Sequence, residues 1–438
     1  MNTLQSTKTD EQVQLTTRIL KQLIDEESAK RMNVRLWDGT SWPDEAPRQA
    51  TLVLKHPGAL REMFQPGTEV GLGEAYLYDD FDFEGDLEQI FDIAYRLSEA
   101  SAGMQNKMRL GLDLMRLPAG GREKRVHSKR SSAKLTGRAH SVERDRQAVT
   151  YHYDVSNEFY SLWLDRRMVY SCAYFRTPDD DLDTAQEQKL EYICRKLRLH
   201  PGQRLLDIGC GWGGLVMYAA EHYGVDATGI TLSRPQAELA NTRIQSAGLS
   251  GKCRVQIQDY RQLDEHEAYD VLVSVGMFEH VGARLLPTYF DQAYRLLRKG
   301  GVFLNHGIAC CMADEGRPTD TSFSQAYVFP DGELVPISVT TRAAEESHFE
   351  VRDVESLREH YLLTLRRWVK GLEAHHAQSL EFVDEPIYRT WRLYMSGSAY
   401  GFSAGNLNIY QTLLVKSEDG GRSGLPLRRE DWYRLPEK

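Results

Sequence analysis

Several short stretches of this chain place together residue types that can do chemistry. The first is Leu205-Leu206-Asp207-Ile208-Gly209-Cys210-Gly211-Trp212-Gly213-Gly214-Leu215, where an apolar run ends in an acid and a cluster of glycines. Glycine lets the backbone turn sharply and lets a nucleotide approach the main chain where a Cβ would collide. The spacing, D-x-G-x-G-x-G-G starting at Asp207 with Gly209 and Gly211, is tighter than a usual pyrophosphate loop. No Lys-Ser/Thr follows, which excludes a P-loop. The loop suits S-adenosylmethionine (SAM), with its methionine amino group and ribose against the turn. Further on, Gly229-Ile230-Thr231-Leu232-Ser233, with Gln236 a turn later, offers hydroxyls and an amide where a dinucleotide site would carry an acid. These groups can hold ribose hydroxyls. Gln258-Asp259-Tyr260-Arg261 follows. Its acid can accept from an adenine amino group beside a stacking ring, and it reads equally well as an exposed turn.

Two more polar residues end apolar runs. Glu279 lies in Gly276-Met277-Phe278-Glu279-His280-Val281-Gly282, and His306 in Leu304-Asn305-His306-Gly307-Ile308. A carboxylate at such a position is costly to bury without partners. A Glu and a His at adjoining strand ends of a cofactor-binding sheet point to catalysis. No third ligand stands at metal spacing, so no metal is expected.

These residues need a sheet to position them. Thr184-Ala185-Gln186-Glu187 reads as a capping box opening a helix through Leu199. Strands follow at Arg204–Ile208, Asp226–Thr231, Arg254–Gln258, Asp270–Val275 and Gly301–Asn305, with helices between them and Gly224 as the first helix stop. This repetition predicts a doubly wound, largely parallel α/β sheet, in which ligands sit at the carboxyl ends of strands.

Three regions are expected: an N-terminal α+β domain over 1–115, a basic linker over 116–147, and a catalytic domain over 148–438. In the first, Val13–Leu23 reads as an amphipathic helix. Val34–Trp37 and Thr51–Leu54 read as strands, and Leu87–Leu97 as a helix capped by Asp86 with Gln89 three residues on. Its aromatic positions, Tyr76, Tyr78, Phe81, Phe83, Phe91 and Tyr95, read as core, with a lipid-facing or dimer-forming role as the lesser reading. In the linker, Arg122, Lys124, Arg125, Lys129, Arg130, Lys134, Arg138, Arg144 and Arg146 face only Glu123, Glu143 and Asp145. That stretch is a solvated connector, a strip resting on anionic lipid at up to about 1 kcal/mol per cation, or both. The overall net charge of −9 argues against general nucleic-acid binding. Six cysteines without metal or redox spacing suit a reducing cytoplasm. A polar N-terminus and the lack of long apolar runs predict neither a signal peptide nor a spanning helix.

Upstream of the sheet, Tyr151–Tyr160 and Met168–Phe175 carry seven Tyr and Phe rings. They form either a packed flap or an aromatic-walled cavity able to host an apolar substrate and a transient cation. At this point the chain resembles the cyclopropane-fatty-acyl-phospholipid synthase family, relatives of the mycolic acid cyclopropane synthases. The resemblance rests on Tyr151–Asn157, Tyr170–Phe175, Leu205–Leu215, Gly229–Ser233, Ser274–Gly282 and Asn305–Ile308. Tyr327-Val328-Phe329-Pro330 and Asp353–Leu365, with Glu359-His360-Tyr361, extend it over about residues 148–417. It implies a Rossmann-like class I SAM-dependent methyltransferase domain, and a methylene transfer from SAM to cis double bonds of membrane phospholipid acyl chains. Tyr170, Ser171, Gly209, Gly211, Thr231, Gln236, Asp259 and Tyr260 would contact SAM, with Asp207 and Ser233 in the same two motifs. A bicarbonate ion would be held by Glu279, His306, Tyr361 and the main chain at Cys172 and Ile308. A homodimer, peripherally attached to the inner face of the membrane, is implied as well.

An alkene is a poor nucleophile, so the sulfonium methyl must lie in line with its π face. The resulting carbocation would be trapped by water, so the cavity must be apolar and aromatic. Ring closure then needs a proton removed from the transferred methyl group. Bicarbonate is small enough to stand there, accepting from His306 and Tyr361 while Glu279 accepts its O–H and raises its basicity. Cys172 presents a backbone N–H rather than a nucleophile. Ala309–Asp331 could be a lid, and helices over Leu357–Leu372 and Ile387–Phe402 are either channel walls or core. The alternatives are a fatty-acyl C-methyltransferase giving methyl-branched or methylene products, a methyltransferase on a small polar acceptor, and a silent lipid-binding protein.

Overall fold

The computed structural model describes residues 2–100, 104–120, 132–153, 155–311 and 322–433. Arg122, Lys124, Arg125, Lys129 and Arg130 of the basic stretch, Asp154, and 312–321 within the expected lid lie outside the described residues. The chain divides into two units. The first comprises Met1–Ser132 with Pro318–Val328 and Val383–Tyr400, and the second holds the remainder. Two segments placed in the catalytic domain on sequence grounds therefore fold with the first unit, among them most of the Ile387–Phe402 helix read as a channel wall.

In the first unit, apolar residues drive a small mixed sheet. Its strands are β1 (Met32–Arg35), β2 (Ser41–Trp42), β3 (Ala50–Leu54) and β4 (Phe81–Gly85), in the order β2-β1-β3-β4. β1 and β3 run parallel, and the outer pairs run antiparallel. Val34, Leu52, Leu54 and Phe81 are buried, and Tyr76, Phe81 and Phe83 pack ring to ring at 5.1–5.7 Å. The helix Leu87–Ala100 begins as expected with Asp86 accepting from Glu88 N, but Gln89 bonds Arg31 instead of closing a box. Arg389, buried, is the polar centre of this unit. Its guanidinium donates to the Tyr76 and Phe81 carbonyls and to Asp79, Asp82 and Glu385 at 2.8–3.3 Å.

The second unit is built on seven strands, the inner ones buried on both faces, which is why those inner strands read as apolar runs. They are β5 (Arg204–Ile208), β6 (Asp226–Thr231), β7 (Cys253–Ile257), β8 (Tyr269–Val275), β9 (Leu297–Cys310), β10 (Glu350–Ser356) and β11 (Leu407–Val415). The sheet order is β10-β11-β9-β8-β5-β6-β7. Five strands are parallel, as expected, and β10 and β11 add an antiparallel edge. The sequence reading lacked those two, because β10 is a charged edge strand (Glu-Val-Arg-Asp-Val-Glu-Ser) with little burial. Gly224 ends the first helix in the left-handed region at φ +66°.

Two local expectations are corrected. The helix before β5 is Leu182–Lys196, and its cap is Asp181, which accepts from Thr184 N at 2.7 Å. Asp181 is anionic at the positive end of the helix dipole, and it lies one turn ahead of the expected box at Thr184. The helix Val142–Tyr153 starts inside the stretch read as linker, with Glu143 and Asp145 in its first turn.

Arg389→Met leaves three carboxylates and two carbonyls short of a donor, so it should destabilise the protein by about 3 kcal/mol. Chemical denaturation checks this. A loss under about 0.5 kcal/mol, the usual size of a surface change, would show the cluster to be dispensable.

Candidate active site

The site is assembled at the carboxyl edge of the parallel strands. β5 delivers Asp207 and then the glycine turn, where Gly209 (φ +86°) and Gly211 (φ +53°) adopt conformations that side chains resist. A Cβ on Gly209 would also lie 2.6 Å from Met277 Cβ. The turn is pinned to β6 by Gly209 N and Cys210 N, both donating to Ile230 O at 3.0 Å. Over it opens a cavity of about 1160 Å³, counting its mouth.

Asp207, Gly209 and Gly211 line this cavity from β5, and Thr231 and Gln236 from β6 and the helix after it. Asp259 and Tyr260 line it from the turn after β7, and Tyr170 and Ser171 from the loop before Leu182–Lys196. Ser233 does not line it. Ser233 caps helix Arg234–Ser246 and accepts from Gln236 N at 3.4 Å, while Thr231 Oγ1 donates to Gln236 Oε1 at 2.8 Å. Ser233 therefore orients Gln236 from behind. Asp259 is clamped by its neighbour: Arg261 donates to both its oxygens at 2.6–2.9 Å and also reaches Asp145 at 2.9 Å. This clamp ties helix Val142–Tyr153 to the cavity wall, and Arg144 adds an ion pair with Asp331. Burial pushes the Asp207 carboxyl up to about 7.

The second set of residues flanks the first. Glu279 is one residue from His280, and Cys172 one residue from Ser171, both of which line the cavity. In the sheet register Val275 stands opposite His306, and Gly276 N donates to His306 O at 2.9 Å. Glu279 Oε1 accepts from Ile308 N at 2.7 Å, so the main-chain donor expected to face an anion is engaged by the carboxylate itself. Glu279 Oε2 and His306 Nε2 are buried with no hydrogen-bond partner among the described residues. Gln411 Nε2 lies 3.5 Å from His306 Nδ1. With the amide as donor, Nδ1 accepts and Nε2 carries the hydrogen. Burial, then the Lys189 charge, hold His306 well below the ordinary histidine range, so its ring is neutral. Burial raises the Cys172 thiol, so it is inert, and its loop is tied to helix Arg358–Ala374 by Ala173 N donating to Thr364 Oγ1 at 3.0 Å.

Aromatic rings join the two sets. Tyr170 lies 6.4 Å from Tyr153, 5.6 Å from Trp163 and 5.1 Å from Trp368, and Trp368 meets Tyr361 edge-on at 5.9 Å. Tyr361 comes from helix Arg358–Ala374, which is thus part of this wall. The arrangement can hold an adenosyl group over glycine, with a dry, ring-lined space beside a small polar niche.

A seven-stranded sheet of this order with a glycine turn after the first of its parallel strands, β5, defines a SAM-dependent methyltransferase fold. The sequence model of the family described as mycolic acid cyclopropane synthetase matches residues 140–412, and that of a domain of unknown function, DUF7884, matches 19–107. The chain is 42% identical over 406 residues to a probable fatty acid methyltransferase from Pseudomonas putida, covering 92% of this chain and 96% of that protein. It is 33% identical over 377 residues to the cyclopropane-fatty-acyl-phospholipid synthase of Escherichia coli strain K12, covering 85% and 89%. The crystal structure of mycolic acid cyclopropane synthase CmaA1 complexed with SAH and CTAB is 35% identical. It covers 61% of this chain and 97% of that one, with a TM-score of 0.58. The chain belongs to the mycolic acid cyclopropane synthetase family, and it is a SAM-dependent transferase.

Sequence reasoning missed Lys189 and the Arg261 clamp. Lys189 had a signal: it falls on the buried stripe of its helix with Ala185 and Ile193, where a lysine is out of place. The clamp had none, because Asp145 lies far from it in the chain.

Burial pushes the Glu279 carboxyl up to about 7 from an ordinary 4.5. With the folded pKa above the unfolded one, stability from this group is full below about 4.5 and is lost as pH rises through about 7. Glu279→Gln keeps the Ile308 acceptor and stays neutral. It should therefore melt near wild type at pH 5 and above it at pH 8, by an amount on the order of 2 kcal/mol. The same offset at both pH values would contradict an elevated Glu279 pKa.

Proposed function

We propose that this protein converts cis double bonds of unsaturated phospholipid acyl chains to cyclopropane rings, removing a proton at the niche formed by Glu279, His306 and Tyr361. The observation that carries this reading is the pair of buried, unsatisfied atoms Glu279 Oε2 and His306 Nε2 beside an aromatic cavity. One is an acceptor and the other a donor, the set that a small planar anion with its own O–H satisfies. Tyr170, Ser171, Asp207, Gly209, Gly211, Thr231, Gln236, Asp259 and Tyr260 would hold SAM, with Ser233 supporting Gln236. When bound, SAM supplies an electrophilic methyl group next to the ring-lined space. Tyr153 and Tyr170 line that space, with Trp163 and Trp368 packed on Tyr170, and the rings would exclude water and offer π faces to positive charge. At the niche, bicarbonate would supply the base. There Glu279 Oε2 accepts the ion's hydrogen while Ile308 N–H holds Oε1 and keeps the carboxylate oriented. His306 Nε2–H and the Tyr361 hydroxyl would donate to the ion's other oxygens. Cys172 contributes its backbone N–H from a packed position.

Among the described residues no helix is long and apolar enough to cross a membrane, so the enzyme would meet its lipid at the membrane surface. The first unit and the basic stretch 116–147 would supply that contact, as a homodimer on the cytoplasmic face. A second reading, a fatty-acyl C-methyltransferase giving methyl-branched or methylene products, is favoured by the name of the Pseudomonas putida relative.

The test incubates purified protein with SAM and unsaturated phospholipid vesicles and analyses the fatty acid methyl esters by mass spectrometry. A product heavier by one methylene that resists hydrogenation is expected. A hydrogenatable product of that mass supports the second reading, and no product despite SAM binding rejects both. Glu279→Gln should keep SAH affinity within about twofold and lose about 100-fold or more in rate, the scale of a lost acid–base contribution. Wild-type turnover would remove Glu279 from the mechanism.

A further inference from the structure

The helix Leu182–Lys196 carries two buried lysines with opposite surroundings. Lys196, with no exposed side-chain surface, is paired with Glu355 and Asp353. Lys189, 1% exposed, has no carboxylate within 4.0 Å among the described residues. Among the described residues its one hydrogen bond is donated to Ser171 Oγ at 2.9 Å, which leaves two of its three N–H donors without a partner there. The acids whose charge acts on it are Asp165 and Asp207, with no hydrogen bond to either among the described residues. The Asp165 oxygens are taken by Val169 N at 2.7 Å and Arg167 N at 2.9 Å. Asp207 Oδ1 is itself buried without a partner. Lys189, Ser171 and Asp207 all line the cavity.

A buried ammonium lacking a counter-ion is unfavourable, and it is retained where a ligand completes it. Burial lowers Lys189 to about 8, which still leaves it mostly charged near neutrality. One wall of the cavity therefore offers a cation with spare donors, a hydroxyl held by that cation, and an unsatisfied carboxyl. An α-amino acid group, anionic at one end and cationic at the other, matches that set.

We propose that Lys189 is a positioning residue of the SAM site. Acting with Ser171 Oγ, it forms the end of the cavity that receives the methionine carboxylate, and Asp207 forms the end that receives the ammonium. The inference rests on the reading of this cavity as the SAM site. It predicts that Lys189 discriminates ligands with the amino acid portion from those without it, which a role in packing would not do.

The probes are S-adenosylhomocysteine (SAH) and 5′-methylthioadenosine, which share the adenosine and sulfur but differ in the amino acid. Calorimetry on the full-length protein, with melting temperature as a check of folding, is expected to show Lys189→Gln weakening SAH by at least about tenfold. 5′-Methylthioadenosine should change by less than about twofold. Equal weakening of both ligands, or of neither, overturns the proposal. If Lys189→Gln does not fold, Lys189→Met carries the test, because it keeps the length and apolar stem of the buried side chain and removes only the ammonium. The same selective loss supports the proposal, and an unchanged ratio of the two affinities overturns it. Failure of the wild-type protein to bind SAH would instead reject the reading of the cavity.

Discussion

A carboxylate held away from water at the edge of a parallel sheet is the constraint around which this site is organised. Glu279 is nearly buried, its carboxyl is raised to about 7, and one oxygen is held by a single backbone N–H from Ile308. That bond needs β9 to run on past His306 beside the end of β8, in the register that sets Val275 against His306. On the other side of β9 runs β11, where Gln411 stands opposite His306 with its amide nitrogen 3.5 Å from the ring Nδ1. β11 therefore borders the polar niche as well as the core.

The cofactor side obeys a second constraint, close approach. Gly209 must be glycine twice over, because its φ is positive and because Met277 occupies the space a Cβ would take. The polar residues around the turn mostly satisfy one another: Ser233 supports Gln236, Thr231 donates to it, and Arg261 clamps Asp259. Groups fixed in this way need little rearrangement when a ligand arrives. The exceptions are two residues that line the cavity, Asp207, whose Oδ1 has no partner among the described residues, and Lys189, which bonds only Ser171 Oγ among them. Beside the turn stands the ring cluster of Tyr153, Trp163, Tyr170 and Trp368, of which Tyr153 and Tyr170 line the cavity and offer a cation their π faces.

Much of this was legible in the sequence, for identifiable reasons. β5, β6, β8 and β9 are largely buried on both faces, so apolar runs located them to within a few residues. Glu279 and His306 stood out as polar residues where such runs end. β10 was not legible, because an exposed edge strand of alternating charge looks like a loop. The first unit's borrowing of 318–328 and 383–400 was not legible either, since Arg389 finds Asp79 and Asp82 only after the chain has returned. Lys189 was overlooked because a lysine in a charged helix reads as solvent-facing until the buried stripe is drawn through it. The Ile308 N–H was expected to face an anion and instead holds Glu279, a difference that only the turn after β8 determines.

The central claim is that this site takes a proton from the methyl group it has just transferred. The direct measurement supplies SAM whose transferable methyl carries three deuterium atoms, with unsaturated phospholipid vesicles, and counts deuterium in the product by mass spectrometry. Retention of two of the three is the expected result, because one must leave for the ring to close. A product that keeps all three would contradict the claim and would show that the cation is quenched without touching the new methyl group.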